Sequence, residues 1–330
     1  MKLIKSVLVF ALVLTIGFSL LSCRKNRDGG ATYTLMMSTQ LPDSSPMVAG
    51  FREWAEAVSE RTNGNLKIEI FTSAQLGSDE DVIEQALQGV NVAVLTDGGR
   101  MANYVRDIGI IGMAYIANDY EELTRITQTA TFKSWDTNLR NQGIKILSYN
   151  WYDGPRNFYT NRPINVPADL NGVRIRTPGA PVWSRSVASL GATPVAMSWP
   201  ESYNALQTRA IDGVEVQSTS AYPARMHEVT SHLSRTEHFH LANFIMVGER
   251  WFSTLPAEYQ QILAEECVSA AIANAAQILS VAEDFENRMV ANGMQIVEVD
   301  KAPFIAAAER AYQELDFLTL RNQIWAEIGR

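Results

Sequence analysis

The stretch from Leu66 to Gly99, LKIEIFTSAQLGSDEDVIEQALQGVNVAVLTDGG, decides the fold. In LKIEIF, Leu66, Ile68 and Ile70 alternate with Lys67 and Glu69, the period-two pattern of a strand with one buried face. SDEDVIEQALQG reads as a helix that starts with acids, and VNVAVLT as an apolar strand. Upstream, YTLMMST from Tyr33 is another strand candidate. SSPMVAGFREWAEAVSERTNG supplies a serine cap, Pro46 in the first turn, apolar residues at Met47, Phe51, Trp54 and Val58, and a stop at Gly64. The order βαβαβ predicts a parallel sheet with right-handed crossovers. Ligands of open α/β sheets bind beyond the carboxyl ends of the strands, and here those ends carry the polar pairs Thr39-Gln40 and Thr96-Asp97 followed by Gly98-Gly99.

The middle of the chain repeats this grammar with other residues. GIKILSYNWYDGPRNFYTN runs from a strand into an aromatic, turn-rich passage. It is followed by GVRIRT, a helix candidate Pro181 to Leu190, the strand TPVAM, a helix around Glu201 to Arg209, and the strand GVEVQ from Gly213. A second α/β lobe is the economical reading, and no fixed-period repeat suggests a solenoid. A long helical pattern then runs from Pro256 to about Asn292, with apolar positions at Tyr259, Leu263, Cys267, Ala271, Ile278, Phe285 and Met289. It would be about 55 Å long, more than the roughly 35 to 40 Å of one 150-residue lobe, so it crosses both lobes or breaks at a hinge. A single further amphipathic helix, about Ala302 to Ile324, is expected to complete the chain.

At 330 residues, 46% hydrophobic and 19% charged, the chain suits two globular lobes. With 28 basic residues against 36 acidic and no basic run, nucleic acid is excluded as the natural partner. Lys2 and Lys5 precede an uncharged apolar stretch from Ser6 to Ser22, too short to span a membrane and shaped like a signal peptide, residues 1–22. Its end, Leu20-Leu21-Ser22-Cys23, resembles the lipobox of bacterial lipoproteins. Cys23 is thus the expected lipidation site, with 23–32 a tether. Cys267 is the other cysteine and is expected to be a small buried apolar residue.

Sequence patterns for phosphate-binding loops, dinucleotide-binding turns, nucleophile elbows and CxxC are absent. His227, His232, His238 and His240 fall close together. His227 and His232 are five apart, however, and would not share a helix face, and no third ligand stands beside His238 and His240, so no metal is expected. The carboxylates are scattered, and no enzyme activity or cofactor is called for.

Four segments carry a resemblance: SAQLGSDEDVIEQALQGVNVAV (Ser73 to Val94), DLNGVRIRTP (Asp169 to Pro178), ATPVAMSWPESYNALQTRAIDGVE (Ala192 to Glu215) and WFSTLPAEYQQIL (Trp251 to Leu263). In this order and spacing the chain resembles the DctP-type solute-binding proteins of tripartite ATP-independent periplasmic (TRAP) transporters. The resemblance implies a two-lobed α/β periplasmic-binding-protein fold, with a ligand cleft between the lobes and a long helix spanning both. Lobe I would be 33–152 with about 242–282, and lobe II 153–241 with about 283–330. It implies a periplasmic protein that closes on a small organic carboxylate and delivers it to the small and large TRAP membrane subunits.

The arginine that pairs with the ligand carboxylate in this family matches Arg176, and a second arginine matches Arg156; Arg174 matches a position that does not touch ligand. Gln40, Asp97, Trp199 and Val216 match other cleft-facing positions, with Glu215, Trp151 and Tyr152 beside them. A guanidinium at a strand end just before Thr177-Pro178 also suits the role physically, because its planar fork binds a carboxylate through two parallel hydrogen bonds. Val216, Trp151, Tyr152 and Trp199 would make the pocket apolar. That favours an apolar or aromatic monocarboxylate, such as a branched-chain 2-oxo acid, over a sugar acid or a dicarboxylate. A binding protein for an ABC transporter or chemoreceptor is the nearest alternative. An envelope hydrolase or isomerase is another, although it lacks a visible catalytic set, and an adhesive surface lipoprotein is a third.

Overall fold

The computed structural model describes residues 32–330; the expected signal peptide and Cys23 lie outside the described residues. The first half opens with β1 (Tyr33–Ser38), α1 (Pro46–Arg61), β2 (Leu66–Phe71), α2 (Asp79–Leu87), β3 (Val92–Asp97) and the short α3 (Gly98–Met101). Then come α4 (Tyr120–Gln128), α5 (Ala130–Asn141), β4 (Ile144–Thr160), β5 (Arg174–Thr177), α6 (Pro181–Ser189), β6 (Thr193–Ala196), α7 (Ser202–Gln207), β7 (Gly213–Gln217) and α8 (Ser218–Ala221). The chain ends with β8 (His232–Gly248), α9 (Glu249–Phe252), α10 (Ala257–Ala291), β9 (Gln295–Glu298), α11 (Ala302–Glu314) and α12 (Leu318–Glu327).

Local chemistry sets the early helices. Ser45 accepts from the Met47 amide at 3.3 Å with Pro46 behind it, and Ser78 and Asp81 form a reciprocal capping box on α2. Both devices satisfy first-turn amides that have no intrahelical partner.

The strands form one sheet in the order β2-β1-β3-β8-β4-β7-β5-β6, with β9 beside β8. β2-β1-β3 and β7-β5-β6 are parallel trios, and the antiparallel pair β4 and β8, 17 residues each, joins them. Two core clusters, one around Trp54 and Ile245 and one around Ile108 and Phe244, cover the first trio. Two more, around Trp183 and Ile175 and around Tyr159 and Val214, cover the second. Val173 and Ile175 lie in the third cluster, as the alternation in GVRIRT requires.

The passage expected to turn after its first strand is instead the continuous strand β4. Gly154 takes φ +98 in its middle, and the pairing with β8 shifts register between Tyr152 and Pro155. A proline has no amide to give the ladder and sits at such an irregularity without penalty. β8 itself, α4 and α5 were not anticipated from the sequence.

The long helix is unbroken over 35 residues, about 52 Å. It is long and apolar enough to cross a membrane, but Leu263, Cys267, Ala271 and Ile278 pack in the first half and Met289 in the second. Trp54 Nε1 donates to the Leu263 carbonyl at 3.1 Å, and Ser218 Oγ donates to Glu286 at 2.6 Å, so polar contacts clasp α10 to both halves. Cys267 is fully buried, and burial pushes its thiol up to about 12. The last expected helix is two, α11 and α12, divided at Asp316, which takes φ +52. Phe304 and Ala308 pack with the second half, whereas Tyr312, Phe317 and Ile324 pack with the first.

Candidate functional site

The carboxyl ends of β1, β3 and β5 point at one cavity between the two halves. Thr39, Gln40, Asp97, Arg100, Arg176 and Pro178 line it from these ends, Asp79 from α2, and Asp153, Arg156, Val216, Gln217, Ser220 and Asn243 from β4, β7, α8 and β8. Trp183 and Trp199 complete the wall, and the space between is about 610 Å³, part of it open to solvent.

Arg176 is buried, 4% exposed, near the carboxyl end of β5 and two residues before Pro178. Its Nε donates to the Met197 carbonyl at 3.0 Å and its guanidinium carbon lies 5.4 Å from the Trp199 ring centre. Neither terminal nitrogen has a hydrogen-bond or ion-pair partner among the described residues. Burial, then the nearby positive Arg156, pushes its pKa down to about 9, so the group is charged at neutral pH and uncompensated. An unpaired buried charge is costly, and an anion is the direct remedy. Two residues earlier in the same strand, Arg174 is half exposed and forked onto Asp212 at 2.9 Å, away from the cavity. The two arginines of RIRT thus differ in what they have left to offer.

Arg156 is fully engaged. Its Nε and Nη2 meet Glu215 at 2.5 and 2.7 Å, Nη1 reaches Gln217 at 3.1 Å, and its guanidinium sits 5.0 Å from the Trp183 ring centre. Glu215 is completely buried behind it, with His238 Nε2 at 3.6 Å. Burial alone would raise the Glu215 pKa, but Arg156 and His238 outweigh it and hold the carboxylate below its ordinary value. Beside them, the bulge in β4 presents Asp153, which accepts from Thr219 at 2.7 Å and Ser220 at 2.5 Å and is pushed up by burial to about 6.

The opposite wall belongs to the first half. Arg100 lies among Asp97, Asp79 at 3.2 Å and Glu80 at 2.8 Å. Burial alone would lower its pKa; Asp97, Asp79 and Glu80 reverse that and raise it. Asp79 rises to about 6, chiefly through burial against the pull of Arg100. Two bonds cross the cleft: Trp183 Nε1 donates to Asp97 at 3.1 Å, and the Trp199 amide donates to Gln40 Oε1 at 2.9 Å. The first needs Gly99, because a Cβ there would lie 2.5 Å from the indole nitrogen.

Six of the sequence-derived positions, Gln40, Asp97, Arg156, Arg176, Trp199 and Val216, meet at this cavity. Two do not line it. Glu215 stands behind Arg156, and Trp151 is wholly buried in the core against Phe51, ring centres 4.8 Å apart. Tyr152 also faces a core and bonds His240 Nδ1 at 2.8 Å. Asp79, Arg100, Asp153, Trp183 and Asn243 were missed; the polar end of β3 pointed to Arg100, while the others come from elements whose meeting no local pattern announces. His227 lies in a short 3-10 turn and His232 opens β8. Among the described residues no cluster of three or more His, Cys, Asp or Glu could hold a metal.

Residues 37–317 match the sequence model of bacterial extracellular solute-binding protein, family 7 (DctP). The chain is 25% identical over 290 residues to the sialic acid-binding periplasmic protein SiaP of Vibrio cholerae, covering 87% of this chain and 89% of that one. A TRAP periplasmic solute-binding protein from Ochrobacterium anthropi with bound L-fuconate is similar at a TM-score of 0.88 and 30% identity, over 90% of this chain and 100% of that one. Another from Escherichia fergusonii, an apo open structure, gives 0.79 at 34% identity, over 89% and 99%. The periplasmic-binding-protein fold, the cleft cavity with its unpaired guanidinium and these likenesses agree: the chain belongs to the DctP family of TRAP periplasmic solute-binding proteins, which bind small organic acids and are not enzymes.

Proposed function

We propose that the protein captures a sugar acid, a small polyhydroxylated carboxylate, with its carboxylate on Arg176, and presents it to TRAP membrane subunits. The observation that carries this is the buried guanidinium of Arg176, which lines the cavity and whose two terminal nitrogens have no partner of their own among the described residues. The relatives support the polyhydroxylated part: one is named for sialic acid and another holds L-fuconate.

The relatives favour the sugar-acid alternative over the expected apolar or aromatic monocarboxylate. Trp151 and Tyr152 pack into cores, and beside the apolar Leu41, Leu95, Leu241, Val216, Trp183 and Trp199 the walls carry Thr39, Gln40, Asp79, Asp97, Asp153, Gln217, Ser220 and Asn243, groups that pair with the hydroxyls of a ligand.

The chain is more similar to the L-fuconate-bound relative than to the apo open one, although its sequence is nearer the latter. The cross-cleft bonds of Gln40 and Asp97 fit a closed form. Opening would bend β4 and β8 near Gly154, between lobe I (33–152 with about 242–282) and lobe II (153–241 with about 283–330). Lipidation of Cys23 would hold the protein at the membrane surface.

Calorimetry with L-fuconate, D-gluconate and 4-methyl-2-oxopentanoate tests the ligand class. A sugar acid should bind at least 100-fold tighter than the 2-oxo acid; the reverse order would overturn the reading.

A further inference from the structure

We infer that the cavity admits one anionic group only, at Arg176, and that the opposite acidic wall makes the ligand an aldonate, with an alcohol at its far end, rather than an aldarate or a sugar phosphate. This rests on the sugar-acid reading and narrows it.

The inventory of charges carries the inference. Three guanidinium groups line the cavity, and two are already neutralised or outnumbered. Arg156 is forked onto the buried Glu215 and capped by Gln217. Arg100 faces three carboxylates, Asp97, Asp79 and Glu80. Arg176 is the one cavity arginine without an acidic partner among the described residues. Asp153 adds a further carboxylate whose visible partners, Thr219 and Ser220, are neutral hydroxyls.

A ligand carboxylate seated on Arg176 therefore points its far end at a surface rich in acceptors and in excess negative charge. Carboxylates accept hydrogen bonds from alcohols and repel a second anion. At neutral pH these carboxylates keep their charge, because Asp79 on that wall and Asp153 beside Arg156 titrate at about 6. Two like charges about 7 Å apart at an effective dielectric of about 20 give roughly 50-fold discrimination. Family membership alone does not decide this, since C4-dicarboxylate-binding relatives share the fold; one, from Rhodobacter capsulatus, is 27% identical over 292 residues.

The test is calorimetry at pH 7.5 on the intact folded protein with three ligands that differ only at the terminal carbon: L-fuconate (methyl), L-galactonate (hydroxymethyl) and galactarate (carboxylate), repeated with D-gluconate and D-glucarate. Within whichever series binds, the aldonate should exceed the aldarate by about 50-fold. Asp79→Asn or Asp153→Asn should narrow that gap by about 5-fold or more. Equal affinity for aldonate and aldarate, or a gap untouched by both substitutions, overturns the inference and leaves the sugar-acid reading standing. Binding of no sugar acid at all overturns both.

Discussion

Replacing Arg176 should have two opposite effects, and their combination is diagnostic. In the closed form without ligand the guanidinium is buried beside Arg156 with no anion, and the fall of its pKa to about 9 corresponds to a cost on the order of 5 kcal/mol for keeping it charged there. Arg176→Met keeps a similar apolar stem against Trp199 and removes that cost, so the ligand-free protein should gain stability, by about 1 to 3 kcal/mol once the lost bond to Met197 and imperfect packing are counted. With ligand the sign reverses. Removing one member of a desolvated charge pair costs about 2 to 5 kcal/mol, or roughly 30-fold to several-thousand-fold in affinity. Arg176→Lys tests geometry apart from charge, because a lysine retains the cation but offers neither the fork nor the planar face that lies over Trp199. It too should lose at least about 30-fold. The assays are urea unfolding without ligand and calorimetry with L-fuconate or D-gluconate. Binding within threefold of wild type in Arg176→Lys, or a ligand-free Arg176→Met protein less stable than wild type by more than about 1 kcal/mol, would refute the reasoning.

Three further perturbations separate the neighbouring roles. Gln40→Ala removes the cross-cleft bond to Trp199 and should weaken ligand binding about 3- to 10-fold, with a larger ligand-free radius of gyration by X-ray scattering. Trp151→Ala should cost about 3 to 5 kcal/mol in urea unfolding and leave the preference among ligands unchanged, because its ring fills the core beside Phe51. The folded Asp153 carboxyl holds its proton at about 6 against 3.8, so it costs stability above pH 6 and that cost vanishes as pH falls towards 4. Relative to wild type, Asp153→Asn should therefore lose about 2 to 3 kcal/mol in melting experiments between pH 7.5 and pH 4.

The first βαβαβ unit was legible because each element announces itself locally: alternation in LKIEIF, a serine cap before Pro46, a capping box at Ser78. β4 was only half legible. Gly154-Pro155 is a turn signal, yet the paired strand β8 absorbs it as a bulge, and the register shifts on both sides of Trp151 and Tyr152 decide which face each ring takes. That is why Trp151 was drawn to the pocket on sequence grounds and lies in the core. Arg176 was marked by the family resemblance, and its strand end before Thr-Pro suited the role. The meeting of Asp97 with Asp79 and Arg100 was not legible, because it joins the start of one helix to the end of the next strand. The division between α11 and α12 escaped because the left-handed residue is Asp316 and no glycine marks it.

The most direct test of the central claim is a crystal structure of the protein with the sugar acid it binds most tightly. The account predicts the ligand carboxylate on the two terminal nitrogens of Arg176, both contacts at about 2.7 to 2.9 Å, with the hydroxyl end towards Asp79, Asp97 and Asp153. A ligand whose carboxylate lies elsewhere, with Arg176 still unpaired, would contradict it.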